Sequence, residues 1–120
     1  AGGEPAAVAI ARIAAERPGQ VSVLALGPLT NVALACRLDP LFPSRCAGLV
    51  VMGGCSSARG NASLTAEFNF WSDPEAAHVC LEAFGGVQGG PKVTIVPWEA
   101  CLESSIRWRE YDEYAGGGPP

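Results

Sequence analysis

Residues 21–28 read VSVLALGP, a short apolar run that ends at a glycine and a proline. Its apolar residues do not alternate strictly with polar ones, which is typical of a strand buried on both faces. Two similar runs follow, GLVVM at 48–52 and KVTIVP at 92–97. Each run is closed by a glycine or a proline, so we predict three buried strands with breaks directly after them.

Helical patterns lie around these runs. Residues 5–17 and 28–38 carry apolar positions at helical spacing, and each stretch can begin at a proline. Asp73, Pro74 and Glu75 predict a further helix start, with Asp73 as the N-cap. We also expect a short helical turn, a long loop and a weakly patterned helix, at 41–45, 55–72 and 99–114 respectively.

The alternation of helices and strands predicts an α/β fold with an open, mostly parallel sheet and helices on both faces, as in Rossmann-like proteins. Ligands of such folds collect at the carboxyl ends of the strands. The informative positions are therefore those just after Leu26, Met52 and Val96. We assign residues 1–114 to one domain and residues 115–120 to a Gly/Pro-rich tail.

Length and composition limit the class of protein. The chain has 120 residues, of which 48% are hydrophobic and 17% charged, which suits one small core. A net charge of −4 with only 8 Lys and Arg argues against a nucleic-acid partner. No apolar run is long enough to span a membrane. The chain starts at Ala1 and ends in AGGGPP, so we expect a piece of a longer protein.

Five cysteines occur without any CxxC pair. An odd number of cysteines at irregular spacing is typical of reduced thiols in an intracellular protein. We therefore expect a cytoplasmic location.

The loop after the second apolar run carries the candidate chemistry. Asn61, Glu67 and Asn69 offer two amides and a carboxylate, a combination that can donate to and accept from several hydroxyls of a sugar. Glu67 and Asn69 are two residues apart, so on an extended segment they would point the same way while Phe68 points into the protein. The glycine spacing fits neither GxGxxG nor a phosphate-binding loop. An ordinary solvated surface loop is the alternative interpretation.

Five motifs in this order resemble the inosine–uridine-preferring nucleoside hydrolase family. They are LGPLTNVALA at 26–35, VVMGG at 50–54, GN at 60–61, AEFN at 66–69 and DPEAA at 73–77. The resemblance implies the α/β sandwich of that family. It also implies hydrolysis of the N-glycosidic bond of ribonucleosides to ribose and a free purine or pyrimidine base, with calcium-bound water as the nucleophile.

The resemblance further implies roles for particular residues. Asn61, Glu67 and Asn69 would hold ribose hydroxyls, and Met52 would lie against the sugar. The backbone carbonyl of Leu26 would bind Ca²⁺, a hard cation that prefers oxygen ligands. The expected partner is a ribonucleoside substrate, and a homo-oligomer of the full-length protein is left open.

Other parts of the family pattern are absent from this chain. An aspartate cluster that binds calcium and supplies the general base has no counterpart, nor has a late His-Asp pair, and the single His78 does not match it. We therefore expect the catalytic residues outside this piece, which would represent a partial nucleoside hydrolase domain. Trp98 and Glu99 depart from the pattern of microbial members, which leaves base preference open. Two alternatives remain, a catalytically inactive nucleoside-binding relative and an unrelated flavodoxin-like interaction domain.

Overall fold

A computed structural model describes residues 3–116 of the chain. Three strands, β1 (Val21–Ala25), β2 (Cys46–Met52) and β3 (Lys92–Val96), form a parallel sheet in the order β1-β2-β3. The register pairs Ala25 with Val51 and Met52 with Val96. The carboxyl ends of the three strands therefore meet at one edge of the sheet, and the predicted α/β class with a parallel sheet is confirmed.

Helices follow or precede each strand in residues 3–116. They are α1 (Ala6–Glu16), α2 (Thr30–Leu38), α3 (Phe42–Arg45), α4 (Phe68–Ser72), α5 (Pro74–Gly85), α6 (Trp98–Glu103) and α7 (Trp108–Ala115). The helices expected at 5–17 and 28–38, the short turn, and the helix start at Asp73 are confirmed. Asp73 caps α5, since its Oδ1 accepts the N–H of Ala76 at 3.0 Å.

The core lies between one face of the sheet and helices α1, α2, α3 and α5. Leu49 and Val51 of β2 are fully buried in it, whereas Val50 between them faces the other side, next to the exposed Leu24 of β1. With strands in this order, right-handed crossovers place α2 and α5 on the same face. The sequence predicts a helical layer on each face of the sheet. Within residues 3–116, the layer packed against the core is the one on this face.

An aromatic contact joins the helices within this layer. The rings of Phe42 in α3 and Phe84 in α5 meet edge to face, with centroids 5.6 Å apart and an interplanar angle of 89°. Both side chains are fully buried. Edge-to-face pairs are favoured because the positive ring edge meets the negative ring face. This pair helps to fix α5, and thereby the segment that precedes it, against the sheet.

The prediction of a long loop at 55–72 is wrong for its last five residues, because residues 68–72 form helix α4. The weak helical pattern at 99–114 is two helices, α6 and α7, separated by residues 104–107. Helix α7 ends at Gly116, whose φ of 68° is readily adopted by glycine. Of the predicted tail, residues 117–120 lie outside the described residues.

No helix within residues 3–116 is both long enough and apolar enough to cross a membrane.

Candidate functional site

The turn after β2 is bound to the end of β3. Gly53 donates its N–H to the carbonyl of Val96 at 3.1 Å, and Trp98 donates its N–H to the carbonyl of Gly54 at 2.9 Å. Gly54 has a φ of 73°, a left-handed conformation that favours glycine. The chain therefore leaves the sheet at a defined angle and enters the loop that carries the candidate side chains.

Glu67 is almost fully buried, with 2% of its surface exposed. Its Oε2 accepts the N–H of Gly54 at 2.9 Å and that of Phe70 at 3.1 Å, and its Oε1 accepts the N–H of Asn69 at 2.8 Å. The carboxylate thus caps α4 and at the same time holds the turn after β2. Charge-assisted bonds from backbone N–H groups offset the cost of burying this charge.

Asn69 lies against Met52. It is 7% exposed, and its Nδ2 donates to the Met52 carbonyl at 2.9 Å and lies 3.2 Å from the Met52 sulfur. Asn61 approaches the same helix start from the loop, where its Oδ1 accepts the N–H of Phe68 at 2.8 Å. Four of the residues named from the sequence, Met52, Asn61, Glu67 and Asn69, are therefore brought together around the start of α4.

The loop that carries Asn61 closes on itself. The carbonyl of Ala66 accepts the N–H groups of Asn61 at 3.1 Å and of Ala62 at 3.0 Å. A Cβ atom at Gly60 would lie 2.2 Å from the Ala66 carbonyl oxygen and 2.4 Å from its nitrogen. Only glycine fits there, because both colliding atoms belong to the backbone.

Phe68 does not point into the protein. Helix α4 begins at this residue, and its side chain is 52% exposed. The expectation of an extended segment fails because Glu67 caps a helix there. The inward aromatic residue is Phe70, whose ring lies so close to Gly53 that a Cβ atom would be 2.5 Å away from it.

Leu26 lies one residue beyond β1 at the carboxyl edge of the sheet. The last pair of the register joins Ala25 to Val51, so Leu26 follows β1 where Met52 continues β2. Its side chain is 69% exposed. In the part of the chain that the structure describes, no group of three or more His, Cys, Asp or Glu could hold a metal ion. Because Ca²⁺ takes about 6–8 oxygen ligands, the described residues alone do not fit a calcium site.

Glu99 also binds the turn after β2. Its Oε1 accepts the Ser57 N–H at 2.7 Å and the Ser57 hydroxyl at 2.5 Å, and its Oε2 accepts the Ser56 N–H at 3.2 Å. These bonds, those from Ser57 first, lower the pKa of Glu99 to about 2. The sequence offered one signal for this residue, its position directly after a predicted strand.

A cavity of about 410 Å³ opens beside Glu67. Its lining includes Gly54, Cys55, Phe70 and Trp71. Small-molecule sites commonly have volumes of roughly 300–1,000 Å³ and a mostly apolar lining with a few polar groups. The cavity falls within this range of volumes, and of the four clustered residues it is lined by Glu67.

Comparison with known proteins establishes the family. A family model described as inosine-uridine preferring nucleoside hydrolase matches residues 1–119. The chain belongs to this family of hydrolases. The flavodoxin-like alternative is thereby excluded.

Relatives agree with this membership. The chain is 43% identical over 81 residues to uridine nucleosidase 1 of Arabidopsis thaliana, covering 68% of this chain and 22% of that protein. It is 31% identical over 111 residues to a pyrimidine-specific ribonucleoside hydrolase of Salmonella newport, covering 92% of this chain and 33% of that protein. The chain thus spans between about a fifth and a third of these relatives.

A solved structure shares the fold. The purine-preferring ribonucleoside hydrolase from Gardnerella vaginalis superposes with a TM-score of 0.82 at 25% identity, covering 97% of this chain and 35% of that chain.

Proposed function

We propose that the full-length protein carrying this chain hydrolyses the N-glycosidic bond of ribonucleosides, and that this chain supplies the part of the site that holds the ribose. The observation that supports this most is the clustering of Met52, Asn61, Glu67 and Asn69 around the start of α4. They cluster at the carboxyl edge of a parallel sheet, where ligands of α/β folds bind.

The two asparagines offer complementary groups to a sugar. The Nδ2 of Asn69 is engaged by Met52, so its Oδ1 is the atom that would accept a hydroxyl hydrogen. The Oδ1 of Asn61 accepts from Phe68, so its Nδ2 is the atom that would donate to a hydroxyl oxygen. A sugar hydroxyl both donates and accepts, and one acceptor and one donor can therefore hold a diol in one orientation.

Glu67 would contribute charge as well as position. Backbone N–H groups occupy three of the roughly four acceptor sites of its carboxylate, which leaves about one for the sugar. In glycoside cleavage the sugar ring gains oxocarbenium character, a partial positive charge, in the transition state. A buried carboxylate fixed in place beside the ring would stabilise that charge without reorganising.

The reaction itself balances with one water. The water oxygen bonds to the anomeric carbon, the bond from that carbon to the base nitrogen breaks, and the base leaves with a proton. The leaving base is a purine, a pyrimidine or either. A cytoplasmic location remains a prediction, and the oligomeric state of the full-length protein stays open.

Calcium is part of this proposal for the complete domain only. The carbonyl of Leu26 would be one of its ligands, and the remaining ligands and the general base would come from outside residues 3–116. When bound, the ion would supply a positively charged site for the attacking water. None of the roles given above to Asn61, Glu67 or Asn69 depends on it.

The test measures base release from inosine and uridine by the full-length protein with added calcium. We expect turnover by that protein and none above buffer by the 120-residue chain alone. Asn69→Ala should lower kcat/KM about tenfold or more. Asn31→Ala is the matched control, because Asn31 is an exposed amide on α2 and should leave turnover per folded molecule unchanged.

Nucleosides that each lack one ribose hydroxyl complete the test. If Asn69 binds a given hydroxyl, then Asn69→Ala and the loss of that hydroxyl should be non-additive. Full additivity with every such substrate would show that Asn69 does not touch the sugar. Nucleoside binding without base release would identify the protein as the catalytically inactive relative instead.

A further inference from the structure

Two glutamates hold the segment 53–57 from opposite ends. Glu67 accepts the N–H of Gly54, and Glu99 accepts the N–H groups of Ser56 and Ser57. The carbonyl of Gly54 also accepts the N–H of Trp98. With the bond from the Gly53 N–H to the Val96 carbonyl, backbone groups at four of five consecutive residues are tied to partners elsewhere in the chain, so hydrogen bonds fix most of the path of the segment.

The segment 53–57 leads directly into the loop that carries Asn61. The sulfur of Cys55 donates to the carbonyl of Thr65 at 3.1 Å, which joins the segment to the far side of that loop. The loop is closed by its own hydrogen bonds, because Gly60 donates to Leu64 and Asn61 donates to Ala66, both at 3.1 Å. A displacement of residues 56–57 would therefore move Asn61 together with the whole loop.

We infer that Glu99 is a positioning residue of the ribose site: by fixing residues 56–57 to the first turn of α6, it sets the place at which Asn61 meets the sugar. Glu99 acts through the backbone and touches no reacting atom. Its hydrogen bonds keep the carboxylate charged throughout the neutral range, so the restraint does not vary with assay pH. This inference rests on the proposed function for the role of Asn61.

Three variants separate the effect of the Glu99 hydrogen bonds from other effects of substitution. Glu99→Gln keeps the size of the side chain but replaces one accepting oxygen with a donor, which opposes the Ser56 or Ser57 N–H. Ser57→Ala removes only the hydroxyl bond and leaves the backbone N–H bonds in place. Glu103→Gln is the matched control, because Glu103 is an exposed glutamate on the same helix, at its other end.

The first measurement uses the full-length protein. It compares kcat/KM for a ribonucleoside with kcat/KM for the nucleoside that lacks the hydroxyl bound by Asn61, and the ratio gives the preference. Glu99→Gln should lower kcat/KM for the ribonucleoside about tenfold and lower the preference by a similar factor. Ser57→Ala should have a smaller effect, and Glu103→Gln none. The double variant Asn61→Ala with Glu99→Gln should be no worse than Asn61→Ala alone. An unchanged preference in Glu99→Gln, with lower stability, would show a structural role only.

The second measurement does not depend on catalysis. Amide hydrogen exchange is followed by NMR at Ser56, Ser57 and Asn61 in the same variants. Glu99→Gln should raise exchange at all three amides by tenfold or more relative to Glu103→Gln, because the restraint on the loop is lost. Faster exchange at Ser56 and Ser57 with unchanged exchange at Asn61 would overturn the inference. If the wild-type protein released no base, the proposed function would fail while this measurement would still decide whether Glu99 positions Asn61.

Discussion

Thr30 donates its hydroxyl hydrogen to the carboxylate of Asp73 across 2.5 Å, although the two residues are 43 positions apart. The bond joins the first turn of α2 to the N-cap of α5, where Asp73 also accepts the N–H of Ala76. These two bonds, that from Thr30 first, lower the pKa of Asp73 below its ordinary value of 3.8. The helix that follows the candidate site is therefore tied to the helix that follows Leu26.

Asp73→Ala should destabilise the fold at neutral pH and have less effect in acid. A carboxylate whose pKa is lower in the folded state stabilises that state above its unfolded pKa, and this contribution disappears as the pH falls through the folded value. The difference in urea midpoint between wild type and Asp73→Ala should shrink below about pH 4. Thr30→Val should lose part of the same pH dependence. A difference that stays constant from pH 7 to pH 3 would contradict the role of the charge.

Glu67→Gln should destabilise the protein by about 1–3 kcal/mol, since a buried backbone N–H loses its acceptor. Glutamine has one accepting oxygen where the carboxylate of Glu67 uses two. The free energy of unfolding in urea measures this loss. Glu103→Gln makes the same change of charge at an exposed position and should stay within about 0.5 kcal/mol of wild type. Equal stability of the two variants would mean that the cap contributes nothing.

Gly60→Ala should cost about 1–3 kcal/mol, because the new methyl group would overlap backbone atoms of Ala66. The overlap should open the loop and speed amide exchange at Asn61. Gly85→Ala is the control, since a Cβ atom there has nothing within 4 Å. As a helix residue, Gly85→Ala should leave stability unchanged or raise it by up to about 1 kcal/mol. If the amide of Asn61 exchanged at the same rate in Gly60→Ala as in wild type, the loop would accommodate the added methyl group without opening.

Cys46 should resist alkylation at pH 8. Burial raises the pKa of its thiol to about 11, with a smaller contribution from Cys36. On the order of one in a thousand Cys46 thiols would then be ionised at pH 8, and only the thiolate reacts. Cys101 is half-buried and should label much faster with iodoacetamide. Mass spectrometry of the folded protein compares the two rates, and equal rates would refute the burial of Cys46.

The positions of the strands were predictable because each is a compact apolar run that ends at a glycine or proline. The prediction that they are buried on both faces was wrong in residues 3–116, since Leu24 of β1 and Ile95 of β3 are exposed. Helix α5 was predictable because its start is encoded in three consecutive residues, Asp73, Pro74 and Glu75. Helix α4 was not, since five residues are too few to show helical periodicity. Its signal lies in Glu67, which the sequence marked for a sugar and which also serves as the cap.

The residues of the candidate site could be named from motifs, but their hydrogen bonds could not. Glu67 meets Gly54 across 13 positions and Glu99 meets Ser57 across 42 positions. Local patterns of hydrophobicity carry no information on such pairs, because both depend on how separate segments of the chain meet in the folded structure. The predicted orientation of Phe68 was wrong for the same reason, because the buried Glu67 caps a helix there and so sets the backbone conformation at Phe68.

The strand order also has a consequence for synthesis on the ribosome. Because β1, β2 and β3 pair in the order in which they emerge, each strand can dock on the one made just before it, without waiting for a distant part of the chain. Residues 53–57 cannot do so, since their anchor on Ser57 is made 42 residues later. The turn at 53–57 thus matures later than the strand that precedes it, and slow elongation between β2 and β3 would prolong its unanchored state.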